Sequence, residues 1–304
     1  MRQVYGKKGV QIYMIKESRE GKLFEAAIIF ILMMICIVVV YPILLIVSSS
    51  FSSPIAVLTN KVKLWPVEPT LQVYKMVFKN LEIWASYKNT IVYTVVGTTV
   101  NVFFTALGAY PLSRRDFYGK NIFMIMFVFT MFFGGGMIPS YLLIKNLGLY
   151  NSMWALIIPG AVSTWNLIIM KTFFQNTIPV ELQEAAFIDG ASDIRVFWQI
   201  ILPLSAPVIA VMTLFYGVGH WNSWFSSLLY ISDRSKYPLQ IILREILIQS
   251  STQEMSGGAI SDQEMIGEGI KYATMVVATV PILCLYPFLQ KHFVKGVMIG
   301  AIKG

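Results

Sequence analysis

The sequence predicts an all-α integral membrane protein of about six transmembrane helices, and three observations carry that prediction. Hydrophobic residues make up 56% of the 304 and charged residues only 13%, against the roughly one quarter charged that soluble domains carry. The apolar residues gather in runs of about 20, long enough to cross a hydrocarbon layer as a helix. Those runs are continuous rather than alternating, and a lipid-facing segment must satisfy its own backbone, so helices are favoured over a closed barrel.

Taken in order, residues 1–23 form a basic N-terminal segment with Arg2, Lys7, Lys8, Lys16, Arg19 and Lys22. The first span, Phe24 to Ser48, is longer than the ~7 to 15 residues of a signal-peptide core and no Ala-x-Ala site follows it, so it is expected to stay as an anchor. Lys and Arg collect on the cytoplasmic side, which places the N-terminus there. Further spans are expected at Thr90–Leu112, Ile122–Leu143, Met153–Phe174, Ala206–Tyr230 and Tyr272–Phe293, giving a transmembrane domain over 24–293 and a tail over 294–304. Both termini are then cytoplasmic. The topology requires basic residues at 113–120 and after Gln290, where Arg114, Arg115, Lys120, Lys291, Lys295 and Lys303 stand. The outer segment Ser50–Lys88 also holds Lys61, Lys63, Lys75, Lys79 and Lys88, so charge supports the topology without fixing it.

Two outer segments, Phe51–Lys88 and Ile231–Ile270, are too polar to span and long enough to serve as docking surfaces or as plain connectors. Gly134-Gly135-Gly136 followed by Ile138-Pro139 should break the third span toward its outer end. Cys36 and Cys284 each lie in an apolar span and read as small packing residues rather than a disulfide or metal site. The net charge of +8 lies beside spans, where topology explains it better than nucleic acid does.

One cytoplasmic segment, 181–203, does not fit a membrane. Inserting its Glu181, Glu184, Asp189, Asp193 and Arg195 would cost about 12 to 17 kcal/mol. Glu-Leu-Gln-Glu-Ala-Ala is nonetheless good helix-forming sequence. Gly190 permits a turn that a Cβ would resist, and Pro203 suits the first turn of the helix into the fifth span. A short amphipathic helix, a bend and a second helical stretch follow. Its acidic residues disfavour anionic headgroups, which leaves a groove on a partner protein.

Glu184-Ala185-Ala186, Asp189-Gly190-Ala191, Phe197, Ile200 and Leu202-Pro203 stand at the spacing of the cytoplasmic Glu-Ala-Ala signature. The chain thereby resembles the permease subunits of bacterial ATP-binding-cassette (ABC) importers of the carbohydrate-uptake branch, with a type I importer fold. It is similar to the shorter maltose-transporter permease and to Gram-positive permeases for complex or acidic oligosaccharides. Ile138-Pro139, Leu147-Gly148-Leu149, Trp221-Asn222 and the terminal Gly300-Ala301-Ile302-Lys303-Gly304 extend the likeness. The resemblance implies that Glu184, Ala185, Ala186, Ile188, Asp189 and Gly190 couple to a cytoplasmic ATPase dimer, Ala185 and Ala186 in a cleft and Glu184 on a basic residue. It implies that Ile302, Lys303 and Gly304 contact the same ATPase. It also implies a bacterial plasma membrane, a second homologous permease in a heterodimer, and an extracellular sugar-binding lipoprotein.

No Gly-x-x-x-x-Gly-Lys-[Ser/Thr] loop is present, since Gly119-Lys120 is followed by Asn121, so ATP and Mg belong on the ATPase chain and no cofactor on this one. The spans nearly lack Asp, Glu, Lys and Arg, which argues against an ion-coupled carrier or channel. With two His residues and no His-Glu-x-x-His, a membrane-embedded enzyme is disfavoured, and no catalytic or metal residue is assigned. An oligosaccharide pathway calls for aromatic faces and amides. Trp221, Asn222 and Trp224, with Trp165 and Asn166, are the candidates, Trp221 and Trp224 being expected on one helix face. The plain alternative is that these side chains bond neighbouring helices.

Overall fold

The computed structural model describes residues 4–5, 11–12, 19–255 and 267–284. Val4–Tyr5 pairs antiparallel with Gln11–Ile12, and the remaining regular structure among the described residues is helical. Among the described residues two helices are long and apolar enough to cross a membrane unbroken: α1 (Arg19–Ser50) and α4 (Leu81–Ser113). Between them lie α2 (Pro54–Leu58) and α3 (Gln72–Lys79). The span expected from Thr90 begins at Leu81 instead, because Asn80 caps the helix, its side-chain oxygen accepting the Glu82 amide at 2.9 Å.

The next three expected spans are broken. α5 (Lys120–Phe132) and α6 (Met137–Asn146) differ in direction by 115°. The glycine run breaks the helix as expected, with Gly136 at φ 87°, and residues up to Leu143 therefore run off the axis of the third span. α7 (Trp154–Ile157) passes through a 3₁₀ turn at Ile158–Gly160 and bends by 53° into α8 (Thr164–Thr177). α9 (Val180–Ile188) and α10 (Asp193–Val196) follow. A π-helical turn at Phe197–Ile201 and α11 (Leu202–Leu204) then lead through an 80° bend into α12 (Ala206–Trp221). α12 ends at Trp221, so the expected span Ala206–Tyr230 divides, and its remainder is α13 (Phe225–Tyr230). The outer segment Ile231–Ile270, read as a docking surface or a plain connector, contains α14 (Leu239–Met255). α15 (267–284) closes the described chain, and the last residues of the sixth expected span lie outside it.

α4 is the axis of the bundle, packed against α8 on one side and α12 on another. Ala109, Leu167, Met170 and Met212 are fully buried where the three meet, with Val196, Phe197 and Ile201 closing that end of the core. Lipid is as apolar as these side chains, so cohesion comes from close packing and interhelical hydrogen bonds rather than from hydrophobic transfer. Small residues make the close packing possible. A Cβ built on Gly97 of α4 would stand 2.5 Å from Nε2 of His220 on α12, and one on Gly108 would stand 3.2 Å from Leu167.

Hydrogen bonds hold the broken backbone. Asn101 donates to the Gly160 carbonyl at 3.1 Å, and the Tyr216 hydroxyl, 2.7 Å from Thr105, accepts the Ser163 amide at 3.0 Å. Both acceptor and donor belong to the break between α7 and α8. Gly97→Ala is expected to displace His220 and to lower stability by about 1–3 kcal/mol through overpacking. Thermal unfolding of the detergent-purified chain reads this out, and an unchanged midpoint would show that the imidazole swings aside freely.

Candidate functional site

The charged segment folds as two short helices, α9 and α10, joined by a turn at Asp189 and Gly190 and packed by one side on the core. Along α9 the residues Glu181, Glu184, Ala185 and Ile188, at spacing i, i+3, i+4 and i+7, are all exposed. Ala186 and Phe187 turn inward and pack on the core beside Val196 and Phe197. The outward stripe therefore carries two carboxylates, one methyl group and a large apolar tip, Ile188, which is 86% exposed. Asp189 is exposed next to it.

The turn after α9 is a Schellman closure. The Gly190 amide donates to the Phe187 carbonyl at 3.0 Å and the Ala191 amide to the Ala186 carbonyl at 2.9 Å, with Gly190 at φ 78°. An L side chain resists that backbone, which is the physical reason for glycine here. Two residues on, Ser192 caps α10, its hydroxyl accepting the Arg195 amide, and Asp193 places a negative charge in the first turn.

Sequence reasoning assigned Arg114 to topology alone, yet it joins this site. The residue is the C-cap of α4. Its guanidinium grips Asp116 side-on, with Nε donating to Oδ1 at 2.8 Å, and it pairs with Asp193 of α10. The same group reaches the Tyr110 hydroxyl at 3.4 Å and stacks on Phe187 of α9, its Cζ 4.8 Å from the ring centre. The hydrogen bond to Asp116 raises the Arg114 pKa above its ordinary value. Asp116 in turn is held below the usual aspartate range, chiefly by that bond. Its arm of the clamp is thus complete above the ordinary aspartate pKa and is given up as pH falls through the lowered value. No local motif marks Arg114. The only signal is Arg-Arg-Asp following the α4 pattern.

The residues read as a sugar pathway fall in two groups. Trp221 is 4% exposed, donates from Nε1 to the Ala278 carbonyl at 3.0 Å, and meets Tyr87 edge-on. Asn166 is also buried. Trp165, Asn222 and Trp224 are exposed, and the Arg244 guanidinium lies 4.0 Å over the Trp224 ring. Because α12 stops at Trp221 and Trp224 precedes α13, the two tryptophans do not share a helix face as their spacing suggested. Asn222 donates to the Val218 carbonyl. Ile302, Lys303 and Gly304 lie outside the described residues.

Residues 83–299 match the family of binding-protein-dependent transport system inner membrane components. The chain is 45% identical over 294 residues to protein LplC of Bacillus subtilis (strain 168), covering 97% of this chain and 99% of that one. It is 45% identical over 265 residues to the polygalacturonan/rhamnogalacturonan transport system permease protein YtcP of the same organism, covering 85% and 90%. A bacterial ABC transporter involved in the import of the acidic polysaccharide alginate contains a chain of the same fold in its crystal structure. The TM-score is 0.82 at 31% identity, covering 92% of this chain and 100% of that one.

Nothing stands within 4 Å of a Cβ built on Gly190, so its substitution tests backbone strain alone. Gly190→Ala is expected to cost roughly 1–2 kcal/mol locally. Faster amide exchange over residues 186–191 would show it, whereas protection equal to wild type would mean the turn tolerates a Cβ.

Proposed function

The chain belongs to the family of binding-protein-dependent transport system inner membrane components and is the permease subunit of an ABC sugar importer, a transport component and not an enzyme; from this we propose that α9 is the helix that docks into its ATPase. The observation that carries the proposal is the exposed stripe Glu181, Glu184, Ala185 and Ile188, an apolar tip flanked by charge on a segment too polar for lipid. Ala185 lets the stripe seat closely, Glu184 pairs with a basic residue of the ATPase, and Gly190 sets the angle at which α9 leaves the core. Asp189 borders the contact. ATP and Mg are held by that second chain, and the residues Ile302 to Gly304 add a contact to it.

In this reading the protein lies in the bacterial plasma membrane with both termini cytoplasmic, pairs with a different permease, and receives sugar from an extracellular binding lipoprotein. ATP binding closes the ATPase subunits, α9 follows them, and the bundle alternates between outward and inward openings. The exposed Trp165, Asn222 and Trp224 are the residues offered to the cargo. Buried Trp221 and Asn166 support them from within the bundle.

The relatives named for polygalacturonan and alginate handle acidic polymers, and Arg244 over Trp224 pairs a cation with an aromatic face that a sugar acid can use. We therefore take the cargo to be an oligosaccharide with carboxylate groups.

Glu184→Lys is expected to leave membrane insertion intact while lowering binding-protein-stimulated ATP hydrolysis at least about fivefold, because like charges meet. Hydrolysis by the assembled complex measures it, and full stimulation would remove the ion pair from the mechanism. Arg244→Gln should reduce uptake of an oligogalacturonide more than that of a neutral oligosaccharide of equal length. Equal losses for both would argue against charge recognition at that position.

A further inference from the structure

We propose that Arg114 is the positioning residue that carries movement of α9 and α10 into α4. The proposal rests on the docking role of α9 given above and extends it to a residue outside the exposed stripe of α9. α9 is joined through the backbone to α8 by 178–179, and to α12 by way of α10 and the π-helical turn. α4 has no such link. It ends at Ser113, far from residue 180 in sequence, yet it is the helix against which both α8 and α12 pack. A displacement of the docking helices must reach it through space.

Arg114 is built for that link. It stands at the C-terminal end of α4, where the helix dipole favours a cation, and it pairs with Asp193 at the N-terminal end of α10, where the dipole favours an anion. Its flat face rests on Phe187, whose ring packs into the core beneath α9. Its own amide bonds the Pro111 carbonyl, and its carbonyl accepts from Lys120 at the start of α5. Gln175 of α8 donates to the neighbouring Ser113 carbonyl at 3.2 Å. One side chain thus contacts α9 and α10 while its backbone is locked to α4 and α5. Its side chain is only 19% exposed, whereas those of Asp116 and Asp193 are 67% and 68% exposed, so the guanidinium is the buried centre of the cluster.

The planar fork is what does this, since Asp116, Asp193 and the Phe187 ring engage different edges and the face of one guanidinium. Lysine keeps the charge but can supply neither the paired bonds nor the stacking plane. The test uses the assembled complex of both permeases with the ATPase, in lipid nanodiscs. Arg114→Lys is expected to reduce the ratio of stimulated to unstimulated ATP hydrolysis at least about fivefold. Asp193→Asn, at an exposed side chain, should do the same, and the double variant should be no worse than either alone.

Ile188→Cys provides the second readout, by crosslinking to a cysteine in the ATPase groove. An undiminished crosslink in Arg114→Lys together with lost stimulation supports transmission through Arg114. Full stimulation in Arg114→Lys, independent losses that multiply in the double variant, or loss of the crosslink in Arg114→Lys would each overturn it. If Ile188→Cys fails to crosslink even beside wild-type Arg114, the docking role of α9 falls instead, so the two failures are distinguishable.

Discussion

The fold depends on one constraint: backbone groups freed by a break in a helix at membrane depth must find partners inside the protein. Here the partners come largely from α4 and α12. Asn101 takes the Gly160 carbonyl, and Tyr216, anchored on Thr105, takes the Ser163 amide, so the bend between α7 and α8 is satisfied on both sides. Pro281 in α15 has no amide to give to the Val277 carbonyl, and the Tyr87 hydroxyl reaches that oxygen at a long 3.4 Å. Trp221 donates to the next carbonyl, that of Ala278. Asn101, Tyr216, Tyr87 and Trp221 are therefore explained first by the breaks they serve.

That account also separates two kinds of polar and aromatic residue that look alike in the sequence. Trp221 and Trp224 are both tryptophans beside the end of one helix. The first is sealed between α4, α12 and α15, and the second is open at the surface under Arg244. What distinguishes them is the helix end at Asn222, a matter of tertiary packing and not of local pattern. In this structure only the second kind is open to a ligand, while the first is spent on contacts between helices.

Membrane class and helical architecture were legible because they follow from apolar run length, which needs no knowledge of neighbours. The short helices α9 and α10 were legible because helix-forming residues stand there among five charges too costly for lipid, and Gly190 was legible because a helix that turns sharply after its last residue calls for positive φ. The extents of the spans were less so. Asn80 extends α4 at its N-terminal end, the third span bends at the glycine run 134–136 and the fourth at 161–163 after Pro159-Gly160, and the fifth is preceded by a bend at Ser205 and divided at 222–224. α14 was hidden in a segment of mixed polarity, since its buried Leu239, Ile241 and Ile242 face other elements rather than lipid. Arg114 was invisible as a clamp because its partners lie two and 79 residues away, and only the first of those is local.

α1 is attached to the rest of the described chain by its last turn. Ser48, Ser49 and Ser50 are buried, Ser48 donates to the Leu64 carbonyl and Tyr74 donates to Ser50, while none of the apolar window of α1 is buried within the chain. At 32 residues it is about 48 Å long, well beyond a hydrocarbon layer of about 30 Å. Packing within the described chain therefore leaves its tilt unset, and interfacial side chains and the helices of whatever stands beside it decide the angle. One buried, hydrogen-bonded serine turn thus carries the attachment of a whole apolar helix, whose sides are left open to lipid or to another chain.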